Sequence, residues 1–172
     1  IPPGSNISDV ALGGTHSCVA LENGSTYCWG DNSFSQLGRD GLSWQHCSGG
    51  NCYSTYARSY SPALLASPGQ IGVSEIESGQ QHTCTIVTNG SVYCWGRNSH
   101  GQTGTPRAYG YDSKHTTPAL VQLPPFRIAI SLALGSMHTC ALLDDDSVWC
   151  WGENRSGQIG DGTTDSRHEP IQ

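Results

Sequence analysis

The sequence predicts an all-β fold built from three similar units, and three observations carry that prediction. One phrase is written three times in 172 residues, each time with two cysteines ten positions apart: G-G-T-H-S-C-V-A-L-E-N-G-S-T-Y-C-W-G from Gly13, G-Q-Q-H-T-C-T-I-V-T-N-G-S-V-Y-C-W-G from Gly79 and G-S-M-H-T-C-A-L-L-D-D-D-S-V-W-C-W-G from Gly135. Periods of 66 and then 56 residues describe an array of supersecondary units. The chain holds 22 glycines and only 13% charged residues, which suits short strands and tight turns rather than helices. Within each phrase, alternating β-prone residues flank a turn signal.

Each phrase reads as a hairpin. Residues 15–21 and 25–29 flank Glu22-Asn23-Gly24, and pairing Leu21 with Ser25 across this three-residue loop sets Cys18 opposite Cys28. Thr88-Asn89-Gly90 does the same for Cys84 and Cys94. The third copy uses Asp144-Asp145-Asp146 before Cys140 and Cys150 are aligned, so an aspartate takes the left-handed position that glycine fills elsewhere. Opposed cysteines are close enough to bridge, and closing a ten-residue loop stabilises each hairpin by roughly 2.5–3 kcal/mol. The expected disulfides are Cys18–Cys28, Cys84–Cys94 and Cys140–Cys150, with Cys47–Cys52 following by elimination across Ser48-Gly49-Gly50-Asn51. Zinc is the competing use of these residues, since His16, His82 and His138 each precede a cysteine by two positions. The H-x-C-x9-C spacing lacks the tight clips and the fourth ligand of a structural zinc site.

Alternation puts Val19, Leu21, Tyr27 and Trp29 on the face opposite the cysteines. The second copy offers Val87, Tyr93 and Trp95; the third Ala141, Leu143, Trp149 and Trp151. Every hairpin therefore has an aromatic face and a disulfide face, and stacking one unit on the next buries both.

After each W-G comes an asparagine (Asn32, Asn98, Asn154), then Gln36-Leu37-Gly38, Gln102-Thr103-Gly104 or Gln158-Ile159-Gly160. A variable loop and a Pro-led strand follow, at Pro62, Pro118 and Pro170. The first loop is ten residues longer than the second and contains Cys47 and Cys52. The expected division is 1–60 (repeat 1, with a disulfide-closed insertion at 39–60), 61–116 (repeat 2) and 117–172 (repeat 3 and the start of the next).

Several function classes are disfavoured. A net charge of −6, a single lysine (Lys114) and scattered arginines make a poor phosphate-binding surface, so nucleic acid is not an expected partner. No nucleophile–base pair, phosphate loop or metal clip stands out, which predicts a non-enzymatic protein without cofactor or metal. The sequence shows no initiator Met, signal peptide or apolar run of membrane-spanning length, so the expected chain is a processed product or segment that does not insert into a membrane.

The composite motif G-x-x-H-T-C…G-S-V-Y-C-W-G-x-N-x-x-G-Q-x-G-D-G-T-T…P resembles the regulator of chromosome condensation repeat family, in particular its secreted, cysteine-bearing members. The resemblance covers essentially the whole chain and implies three propeller-blade-like four-stranded antiparallel sheets. Nucleotide exchange on a nuclear GTPase, the family's best-known activity, has no motif to map onto these residues, and cross-strand disulfides suit an oxidising compartment.

Three blades fall short of the four to eight that close a propeller. The final Glu169-Pro170-Ile171-Gln172 followed by Ile1-Pro2-Pro3 reads much like residues 118–125, so one blade is expected to be split across the chain termini and continued by neighbouring copies. The resulting expectation is an extracellular structural protein assembling head-to-tail with other copies of itself into a filament or surface appendage. The alternative is a secreted propeller that binds or inhibits a partner.

Four of the seven asparagines, Asn6, Asn23, Asn89 and Asn154, stand in N-x-S sequons and are the candidate N-glycan sites. Asn23 and Asn89 sit at hairpin tips, where a glycan projects into solvent. Asn154 has a competing role as a side chain bonded to its own turn. The three histidines read as strand residues donating to a neighbouring blade, Asp144–146 as a solvated turn rather than a calcium loop, and Asp161 and Asp165 as turn-bonding residues. Trp44, Tyr53, Tyr56, Tyr60, Tyr109 and Tyr111 crowd the variable loops as a contact patch or as local packing.

Overall fold

The computed structural model describes residues 1–39, 44–48, 51–55, 58–65, 72–106 and 113–172, without the side chains of 44–48 and 51–55. Every regular element among them is a strand. The first sheet consists of β1 (Ile7–Leu12), β2 (His16–Leu21), β3 (Thr26–Asp31) and β6 (Arg58–Leu64), hydrogen-bonded in that order. Between β3 and β6 the insertion forms its own two-stranded sheet, β4 (Trp44–Ser48) and β5 (Asn51–Thr55). The second sheet is β7 (Val73–Ser78), β8 (His82–Val87), β9 (Val92–Arg97) and β10 (Lys114–Leu120); the third is β11 (Ala129–Leu134), β12 (His138–Leu143), β13 (Val148–Gly152) and β14 (Arg167–Ile171).

The hairpins have the expected register. Cys18 faces Cys28, Cys84 faces Cys94 and Cys140 faces Cys150, and all three pairs are disulfide-bonded. Each loop closes through the same bond, such as Leu21 N–H to the Ser25 carbonyl at 2.9 Å. The residue before the return strand has positive φ in all three: Gly24 (83°), Gly90 (80°) and Asp146 (62°). The backbone register also sets Cys47 against Cys52, but the proposed bond between them lies outside the described side chains. With their sulfurs oxidised, Cys18, Cys84 and Cys140 offer no thiolate to zinc. Replacing both Cys84 and Cys94 by alanine is expected to lower stability by roughly 2.5–3 kcal/mol, read as a lower urea midpoint; an unchanged midpoint would show that the bridge does not constrain the unfolded chain.

The split blade is not found. Each sheet takes all four strands from this chain, because the Pro-led strand pairs with the W-G strand of its own hairpin: Ala63 with Cys28, Ala119 with Cys94 and Ile171 with Cys150. Once the variable loop has reversed the chain, the free edge of that strand is the nearest unpaired edge. The likeness between the chain's last and first residues and 118–125 has the same cause, since β14 and β10 are equivalent fourth strands. Divisions at 60/61 and 116/117 run through β6 and β10, so the sheets keep the expected period in a different phase.

The sheets stack face to face. The Cys18–Cys28 face of the first packs with Leu37 and Leu65 against Ile76 and Trp95 of the second. The Cys84–Cys94 face of the second packs against Leu132, Ala141, Leu143 and Trp151 of the third. The disulfide face of one blade thus covers the aromatic face of the next.

Candidate interaction surface

The joint between blades is a hydrogen-bonded unit written twice. At the first joint His16 Nε2 lies 2.7 Å from Thr83 Oγ1, which donates to the Gln36 carbonyl at 3.1 Å, and Trp95 Nε1 donates to the same carbonyl at 2.9 Å. At the second, His82 Nε2 is 2.9 Å from Thr139 Oγ1, which donates to the Gln102 carbonyl at 3.0 Å, joined there by Trp151 Nε1 at 3.1 Å. Because the threonine proton goes to the carbonyl, the histidine donates from Nε2, and a lowered pKa leaves the ring neutral near pH 7. Burial is the main cause, pushing His16 down to about 4, against the pull of Asp31, and His82 to about 3, where His16 and His138 add repulsion. The Nδ1 atoms of both are buried without a partner among the described residues.

Glycines set the spacing. A Cβ on Gly13 or Gly79 would lie 2.2 Å from the histidine ring of its own repeat and 2.8 or 2.6 Å from the next blade's carbonyl. A Cβ on Gly38 would meet Trp95 Nε1 at 2.9 Å, and one on Gly104 would meet Trp151 Nε1 at 2.8 Å. First-strand carboxylates tie the inner edge: Asp9 accepts the Ile76 N–H and Glu75 the Leu132 N–H, both at 2.8 Å.

Each turn is self-capped. Asn154, fully buried, accepts the Ile159 N–H and donates to Asp161 and to the Thr163 carbonyl. Its Nδ2 has no room for a glycan in the folded chain, which corrects the assignment of Asn154 as a glycan site. Asn23 and Asn89 are exposed, with Oδ1 taken by the N–H of Ser25 and Ser91. Asn6 is exposed and donates to Glu22 at 2.9 Å. In the third loop Asp144 accepts the Ile128 N–H, while Asp145 bonds Ser147 and pairs with Arg127 at 2.8 Å, so these carboxylates are engaged. Asp161 is held down to about 2, chiefly by the Thr163 hydroxyl, and also binds Arg167. Asp165 N–H donates to Thr163 Oγ1 at 3.3 Å. No group of three His, Cys, Asp or Glu among the described residues is placed to hold a metal. Tyr60 is exposed; the side chains of Trp44 and Tyr53, together with Tyr56, Tyr109 and Tyr111, lie outside the described residues.

Among the described residues two joint halves are left open. Val10, at the place of Ile76 and Leu132, is 53% exposed where they are 0% and 6%. Trp29 and Ser17, at the places of Trp95 and Thr83, are only half-buried. On the opposite end His138 is half-buried, and a Cβ on Gly160 would have nothing within 4 Å, where Gly38 and Gly104 each meet a tryptophan. The role of the Gln36 and Gln102 carbonyls was not visible in the sequence, since a main-chain acceptor leaves no residue signature; the recurring Q-x-G spacing was the available hint.

Four-stranded antiparallel sheets stacked face to face define a β-propeller-type repeat protein. The chain belongs to the regulator of chromosome condensation (RCC1) repeat family, matched over residues 23–86, 89–142 and 145–172, and by a second model of the same repeat over 7–36, 73–102 and 129–158. Human E3 ubiquitin-protein ligase HERC2 is 30% identical over 169 residues, covering 97% of this chain and 3% of that protein. Ultraviolet-B receptor UVR8 of Arabidopsis thaliana is 28% identical over 213 residues, 97% of this chain and 46% of that protein. Yeast RCC1 (Prp20), in a crystal structure bound to Kap60, superposes with a TM-score of 0.77 at 21% identity, over 94% of this chain and 36% of that one. The chain spans less than half the length of each.

Proposed function

We infer that this chain is a non-enzymatic extracellular structural repeat protein whose copies join head-to-tail into a glycosylated filament or surface appendage. One observation carries the reading: the two open faces are the two halves of a joint the chain already makes twice. Trp29, Ser17 and Val10 of one copy match the open Gly160 slot and His138 of another. Three cross-strand disulfides support an oxidising, extracellular setting, and the exposed amides of Asn23, Asn89 and Asn6 support N-linked glycans. Glu153 is 3.7 Å from His100 Nε2, and Ser99 Oγ, 3.0 Å from Nδ1, also accepts the Arg97 Nε–H. They tie blade two to blade three.

Electron microscopy of natively purified protein is expected to show filaments, and glycopeptide mass spectrometry to find Asn23 and Asn89 occupied with Asn154 bare. A monodisperse 18.3 kDa particle overturns the assembly; bare Asn23 and Asn89 overturn the glycan part. A second reading, a secreted binding or inhibitor module in a larger closed propeller, is favoured by a groove of about 510 Å³ lined by Thr15, Asp31, Arg58, Tyr60 and Gln81. Closed propeller particles in the same images select it.

A further inference from the structure

The joint with a second copy cannot superpose on the internal joints, because one corner is built differently. At each hairpin tip the positive-φ residue faces the following blade. In the first two blades it is glycine, and the approach is too close for a side chain. A Cβ on Gly24 would lie 3.0 Å from Gly72 Cα, and one on Gly90 only 2.4 Å from Ile128 Cβ. The third blade has Asp146, with the same backbone (φ 62°) and a side chain. What it meets on the second copy is Asn6, which holds the place of Gly72 and Ile128: the carbonyls of Asn6, Gly72 and Ile128 accept the N–H groups of Glu22, Thr88 and Asp144 at 3.0, 2.9 and 3.0 Å. Non-bonded carbons rest about 3.5–4.0 Å apart, so two Cβ atoms in this position force the tip side open by about 1 Å or more.

The opposite rim is held by attractive contacts. There the residue after W-G on one blade meets a turn residue of the blade before it. Arg97 sits over the Phe34 ring at 4.7 Å, and Glu153 lies 3.7 Å from His100 Nε2. At the copy-to-copy joint the equivalent residues are Asp31 on the second copy and Ser156 on the first, with Arg155 beside it, its side chain 78% exposed and 3.9 Å from Glu153 of its own chain. A carboxylate facing a hydroxyl and a guanidinium is complementary. Within its own chain Asp31 bonds Ser33 and Gln36 and lies 3.9 Å from Arg58, so the added contact lies on a carboxylate already fixed in place.

With the rim held in contact, opening at the tip rotates the second copy. We propose that Asp146 at the tip and Asp31 at the rim tilt each added copy, so that copies of this chain climb as a helix instead of closing a ring. This rests on the head-to-tail reading above. An opening of about 1 Å across strands roughly 20 Å long is a tilt of about 3° per joint.

The test is helical reconstruction of assembled wild-type and Asp146→Gly protein. Glycine is unstrained at this backbone position, so the variant folds, and its thermal midpoint is expected to equal or exceed the wild type's. The reverse change, Gly90→Asp, puts the wedge into an internal joint and is expected to lower the midpoint. Wild type should give helical filaments, and Asp146→Gly either closed rings or filaments whose tilt per subunit has shifted by about 3°. Filaments with identical helical parameters in both proteins overturn the wedge and leave head-to-tail assembly standing. Flat wild-type rings also overturn it. A wild-type chain that stays monomeric overturns the assembly and the wedge together.

Discussion

Lowering the pH from 7 to 4.5 is expected to remove up to about 5 kcal/mol of stability, a large share of what a domain of this size has. The groups responsible are His16 and His82, buried neutral between blades with values near 4 and 3 against 6.5 for a free imidazole. Above 6.5 neither the folded nor the unfolded chain holds these protons, and the full stability is present. Between 6.5 and the folded values only the unfolded chain binds them, so each histidine costs about 1.4 kcal/mol per pH unit as the pH falls. The loss levels off below about pH 3, where both states are protonated. Burial beside Glu75 and Asp9 raises Glu77, which therefore favours the folded chain on acidification and offsets part of the loss. Asp161, held near 2, loses its contribution only as the pH falls below the ordinary carboxylate value of 3.8, outside the range from 7 to 4.5. Urea midpoints measured from pH 7 to 4.5 should fall steadily, and His82→Gln, which keeps an N–H donor without a titrating ring, should flatten the curve. Equal midpoints at pH 7 and 4.5 would mean that the histidines are not shielded by the joints.

That a histidine recurs before each cysteine was legible in the sequence, and repetition favoured the role of donor to the neighbouring blade that His16 and His82 take. The hairpin register was legible for a simple reason: a three-residue loop ending in a positive-φ residue fixes the pairing from Leu21–Ser25 inward, and Cys18 then faces Cys28. The strand that completes each blade was not. Pro62, Pro118 and Pro170 lie beyond variable loops, and local pattern does not reveal whether such a strand joins the sheet behind it or ahead of it. That choice depends on which edge is free in space. Asn154 carries two local signals that conflict: the sequon marks a surface modification, while W-G-x-N marks a turn cap. Burial decides between them, and burial here comes from the third-blade turn closing over the side chain, a tertiary effect.

Trp95→Ala and Trp29→Ala make the same chemical change at the same repeat position and should have opposite readouts. Trp95 is fully buried against Leu37 and Leu65, with its Nε1 on the Gln36 carbonyl. Its truncation leaves a cavity in the first joint and deprives a buried carbonyl of a donor, an expected cost of about 3–5 kcal/mol. Trp29 occupies the corresponding place on an open face and is half-buried in the single chain, so its truncation should cost about 1 kcal/mol or less in the isolated chain. In head-to-tail assembly the order reverses. Trp29 is then the residue that fills the Gly160 slot of the next copy, and a buried aromatic anchor of this kind is worth about 2–4 kcal/mol of association, enough to shift the assembly concentration by roughly 30- to 1000-fold. The paired measurement is thermal unfolding of dilute monomer together with sedimentation across a concentration series. A Trp29→Ala chain that unfolds as early as Trp95→Ala, or that assembles at the wild-type concentration, would show that the open face is not the half-joint its residues describe.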